Sequence, residues 1–232
     1  MFHYDLQQIL ELGLVMIISL SFHELAHART ALAFGDPTAK MMGRVTLNPL
    51  AHLDPLGSLL FMMAGGLGWA KPVPVNPANL HPQRLGDFLV SLAGPMANLA
   101  LAILGALLLR LVFHLPDWAE DHKWLQSLSV FVTDHTNITH FLAMLVWWNL
   151  CLMLFNMIPL FPLDGHHLQR DMLPARLQDP YMRWQLAYGR YVLIGLMTLS
   201  WFGNRVDPNM PNPIRSLISL VGNPINEFLI YR

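Results

Sequence analysis

The sequence predicts an all-α polytopic membrane protein: one domain of four to six spans, with a small β-hairpin or re-entrant segment between the first two. Three observations predict it. Hydrophobic residues make up 54% of the 232-residue chain and charged residues 12%, against about 45–50% and about 25% in soluble domains. Apolar runs long enough to cross a bilayer, about 20 residues each, recur along the chain. The stretch at 36–85 is the one long non-spanning segment among the first three runs, and it is rich in Pro and Gly. A mean hydropathy of +0.40 excludes a disordered chain, which would be polar and charge-rich. Lys and Arg total 14 against 15 Asp and Glu, a net charge of −1. Without a basic excess, nucleic acid is not an expected partner. The single cysteine, Cys151, excludes an internal disulfide and a Cys-based metal cage.

The first span is expected at 12–34, about 34 Å of helix, stopped by Gly35-Asp36-Pro37. A cleaved signal peptide is not expected, because His3, Asp5 and Glu11 precede the apolar run and no Lys or Arg does. Further spans are expected at 88–113, 141–159 and 184–203, the last interrupted by Arg190. The apolar stretch 57–68 is too short to cross and suits a re-entrant or interfacial segment. The stretch 214–231 is broken by Gly222-Asn223-Pro224. Val45-Thr46-Leu47 and Val73-Pro74-Val75 are short β-like runs that a small hairpin could use. The segments 35–87 and 160–183 hold Lys40, Arg44, Lys71, Arg84, Arg170, Arg176 and Arg183. The segment 114–140 holds only Lys123. Basic residues favour the cytoplasmic side, so the N-terminus is expected outside.

His23-Glu24-Leu25-Ala26-His27 carries the chemistry. Positions four apart share one face of a helix, so both imidazoles can grip one metal ion, and the adjacent glutamate can act as general base. Three ionisable groups within a lipid-spanning helix are costly, which argues for function over a structural polar cluster. A catalytic zinc site usually needs a third protein ligand. Glu120 lies in the acidic outer segment and Glu227 in the tail, so Asp164 is the better candidate. His23 and His27 sit about 16 and 10 Å from the inner end of the first span, and Asp164 follows the inner end of the third. Pro159 and Pro162 forbid a regular helix there and let the chain bend back. His166 and His167 compete as ligands, and His52 lies in a structured loop. Asn98, in Gly94-Pro95-Met96-Ala97-Asn98, suits either a catalytic role or an interhelical hydrogen bond. Asn149 and Asn156 are open in the same way.

Three elements in order resemble the site-2 protease family of intramembrane zinc metalloproteases. They are His23-Glu24-x-x-His27, Gly94-x-x-x-Asn98, and Asn156-x-x-Pro-x-x-Pro-Leu-Asp164-Gly165. The stretches Asn48-Pro49…His52-x-Asp54-Pro55-x-Gly57 and Lys71-Pro-Val-Pro-Val-Asn-Pro77 look like the bacterial members. The resemblance covers roughly residues 15–170. It implies a three-helix catalytic core with additional helices around it, and one Zn2+ per chain held by His23, His27 and Asp164. It further implies Glu24 as base, a catalytic place for Asn98 near the substrate, and cleavage of transmembrane protein substrates in a bacterial inner membrane. Unlike in the larger members, no PDZ or CBS domain is expected within these 232 residues. The sequence fixes no homo-oligomer. A membrane metal-handling protein or transporter is the alternative; it would spread polar residues along a path through both halves of the bilayer.

Overall fold

The computed structural model describes residues 6–52, 54, 71–119, 136–206, 216 and 219. Helix α1 spans Leu6–Ala33, and a short helix α2 spans Thr38–Met41. Two long helices follow, α3 at Gln83–Ala119 and α4 at Thr136–Asn156. Then come α5 (Gly165–Met172), α6 (Ala175–Trp184) and α7 (Arg190–Val206). A π-helical turn, Gln185–Gly189, joins α6 to α7.

Among the described residues three helical stretches are long and apolar enough to cross a membrane: Ile9–Ala33, Gln83–Val112 and Ile138–Asn156. Only 39%, 44% and 33% of their most apolar windows is buried inside the protein. The rest, including Leu14, Phe22, Leu104 and Leu107, points outward, as apolar surface does when lipid is the solvent. The expected span at 184–203 falls on the π turn and on α7, which are not among those three. The expected segment 57–68 lies outside the described residues, as does 214–231 apart from Ser216 and Ser219.

Helix α3 is the centre of the bundle and packs on both α1 and α4. Its small residues permit close approach, the usual basis of helix association in membranes. Ala102 and Ala106 meet Val146 and Leu150 of α4. A side chain at Gly105 would begin 3.1 Å from Val146 Cγ2. Toward α1, Val90 joins Ala31 and Leu80 in a second cluster.

The expected β-hairpin is not formed by the described part of 36–85: no strand occurs among the described residues. Residues 71–76 run without regular structure, and their donors are spent on other partners. Lys71 N–H bonds His52 O at 2.8 Å, Val73 N–H bonds Glu24 Oε2 at 2.9 Å, and Asn76 N–H bonds Asp36 Oδ2 at 2.7 Å. Pro72 and Pro74 have no N–H to give to a ladder. Asp36 also accepts from Thr38 N–H, Thr38 Oγ1 and Asn79 Nδ2, tying the end of α1 to 76–79.

Burial works to raise the Asp36 carboxyl, but the bonds from Thr38, Asn79 and Asn76 prevail and hold it below the usual carboxylate range. A carboxyl held low in the fold stabilises it above the unfolded pKa of about 4. That contribution is lost as pH falls through the folded value. Acidification below about pH 4 should therefore loosen the 71–79 segment. Hydrogen exchange at Asn76 N–H should accelerate on acidification once the intrinsic pH dependence is subtracted, and in Asp36→Ala at neutral pH. Unchanged protection in that variant would show that Asp36 does not hold the segment.

Candidate metal centre

His23 and His27 lie one turn apart on α1 and are 6% and 8% exposed, inside the bundle and away from the lipid-facing side. Their rings stand edge to face with centroids 4.6 Å apart. The two Nε2 atoms approach to 3.0 Å. Asp164 Oδ2 lies 3.3 Å from His23 Nε2 and 3.4 Å from His27 Nε2. Three donors held at about 2.0–2.1 Å around a tetrahedral Zn2+ would be separated by about 3.3 Å, so this triangle has the right size. Asp164 Oδ2 is buried with no hydrogen-bond partner, as suits an oxygen reserved for a cation. His23, His27 and Asp164 are the one such group of His, Cys, Asp or Glu donors among the described residues. The residues fit Zn2+.

The bonds behind the imidazoles fix which nitrogen faces the cation. His23 Nδ1 donates to Asn98 Oδ1 at 2.7 Å, and His27 Nδ1 to the Val90 carbonyl at 2.6 Å. Both Nε2 lone pairs then point at the site. Asn98 is itself held: its Nδ2 donates to Asn149 Oδ1 at 2.9 Å and to Ser19 O at 3.4 Å. Asn149 Nδ2 donates to Ser19 Oγ and Leu145 O, each at 2.8 Å. Ser19, Asn98 and Asn149 are wholly buried, and this chain of amides leaves neither asparagine with an unused N–H. Asn98 thus lies behind His23 with its amide engaged by protein. Sequence reasoning missed Ser19, although it stands one turn before His23 on the same face.

Gly94 explains how α3 comes so close. A Cβ there would lie 2.5 Å from His23 Cε1 and 2.6 Å from His27 Cε1. Asp164 reaches the imidazoles because the chain turns sharply after α4. The turn is clamped from outside: Gln185 Oε1 accepts from Phe161 N–H at 2.9 Å, and Gln185 Nε2 donates to Pro159 O at 2.8 Å. Gly165 lies so tightly under the Met157 and Ile158 carbonyls that no Cβ would fit.

The other histidines considered from sequence lie elsewhere. His166 Nδ1 faces Leu163 O, and burial with His167 beside it pushes His166 down to about 4, so it stays neutral at pH 7. His167 Nδ1 lies 3.5 Å from Asp87 Oδ2. His52 is buried with Nε2 on Thr46 O, a loop support. Asn156 Nδ2 bonds Leu152 O of its own helix.

The sequence model of peptidase family M50 matches residues 12–200. YwhC of Bacillus subtilis, provisionally named a zinc metalloprotease, is 43% identical over 194 residues, 84% of this chain and 83% of YwhC. Rip2 of Mycobacterium tuberculosis, provisionally named in the same way, is 32% identical over 179 residues, 69% of this chain. The chain spans 60% of the length of Rip2. No solved structure matches.

Proposed function

The chain belongs to peptidase family M50, the site-2 protease family, and on that premise we propose that it is a zinc endopeptidase cutting within or beside the transmembrane segments of membrane proteins. The observation that carries the reading is the triangle of His23, His27 and Asp164 donors beside Glu24, with both histidines and the glutamate on a helix apolar enough to span a bilayer. Zn2+ bound there supplies Lewis acidity, making water a competent nucleophile near neutral pH and polarising the scissile carbonyl.

The chain's own residues do the rest. His23 and His27 present Nε2 through the tautomers that Asn98 and Val90 impose. Glu24 takes the proton of the attacking water and returns it to the leaving amine, so the base is restored after each cycle. The Val73 N–H on Oε2 fixes the orientation of that carboxylate. Asn98 serves by orienting His23. Ser19, His23, Glu24, His27, Asn98 and Asn149, drawn from all three described spans, gather around this one centre, while Glu11 and His140 pair with each other about three turns before His23. That supports hydrolysis at a fixed point over a path for ions. The excess of Lys and Arg in 35–87 and 160–183 supports a site in the cytoplasmic half with the N-terminus outside.

The test is a cleavage assay in bilayers. The zinc-loaded protein should cut a transmembrane peptide, and a zinc chelator should stop it. Cleavage of soluble peptides alone would remove the intramembrane part of the proposal. Cleavage of neither would remove the peptidase reading.

A further inference from the structure

Asp164 heads an eight-residue helix, α5. A helix of that length is not stable alone, so its position depends on what it packs against. It packs on the first turns of α3. Arg84 and Asp87 stand three apart there and share one face. Arg84 Nε donates to Asp171 O at 2.7 Å, and its Nη2 to Leu173 O at 3.0 Å, clasping carbonyls at the C-terminal end of α5. A cation suits that end of a helix. Arg170 of α5 donates Nε and Nη2 to Asp171 Oδ1 at 2.8 and 2.7 Å. The same Nη2 makes an ion pair with Asp87 Oδ2. Asp87 and Asp171 are 3% and 6% exposed, so the charges answer one another away from solvent.

The spacing along α3 connects this cluster to the metal ligands. Val90, which receives the His27 Nδ1–H, is three residues beyond Asp87, and Gly94, which seats both imidazoles, is one further turn on. One rigid helix therefore contacts the two histidines at one level and the helix bearing the third ligand at another.

We infer that Arg84, Asp87 and Arg170 are positioning residues for the metal: they lock α5 onto α3 so that Asp164 Oδ2 completes the triad. The inference rests on the zinc reading above. The experiment compares wild type, Arg170→Ala, Arg170→Lys and Asp87→Asn as full-length purified proteins. Zinc affinity is read by competition with a chelator of known strength, alongside Tm. Arg170→Ala and Asp87→Asn should bind zinc about 10–100-fold more weakly. Arg170→Lys should recover part of the loss, because an ammonium keeps the charge but not the fork. Unchanged zinc affinity in folded variants, with only Tm lowered, would overturn the inference. If Arg170→Ala does not fold, the shape-conserving Arg170→Lys and Asp87→Asn decide by the same readout. A wild type that binds no zinc would remove the metal reading itself; a wild type that binds it no more tightly than the variants would remove only this one.

Discussion

Glu24→Gln is expected to lower peptide hydrolysis by about 10²–10⁴-fold, the usual contribution of a positioned general base, while zinc content stays at the wild-type level. Gln has the shape of Glu, and its carbonyl oxygen can still accept from Val73 N–H, so 71–76 keeps its place beside α1. Glu24 is not among the three donors of the metal triangle. What the substitution removes is the capacity to take a proton. Full activity in Glu24→Gln would end the assignment of this residue as base. Zinc loss would show instead that its carboxylate supports the cation.

Gly94→Ala should be strongly damaging although it adds only one methyl group. Alanine is the better helix former by about 1 kcal/mol, so α3 gains by the exchange wherever space allows. At position 94 the added methyl meets both imidazoles, closest of all to His27 Nε2. Either α3 withdraws from α1 or the rings rotate away from Asp164. Misplacement of about 1 Å typically costs about 100-fold in rate, and zinc affinity should fall with it. Gly195→Ala is the control: nothing lies within 4 Å of its Cβ position, so activity and zinc should be unchanged. Wild-type kcat/KM in Gly94→Ala would contradict the close approach of the two helices.

The features legible in the sequence are those with local spacing or composition. His23 and His27 share a face by helical period, and Asp164 follows a proline-broken turn. The first three spans announce themselves by apolar length, although α3 runs past both ends of its expected span and α4 stops at Asn156, short of its own. The features that were not legible lie far apart in sequence or in the backbone. The Val90 carbonyl that orients His27 carries no side-chain signal. Asp87 and Arg170 meet only after α5 docks, and Gln185 reaches Pro159 across a turn whose path no periodicity encodes. The β-like pattern of Val73-Pro74-Val75 suggested a ladder, but two prolines and the pull of Glu24 and Asp36 on the remaining donors direct the chain into a strap against α1.

Metal content of the purified protein, by elemental mass spectrometry on wild type and Asp164→Ala, goes directly to the main claim. One zinc per wild-type chain, and almost none in the variant, is the expected result. Equal zinc in both, or a wild type that takes up none when offered it, would contradict a cation clasped by two imidazoles and this carboxylate.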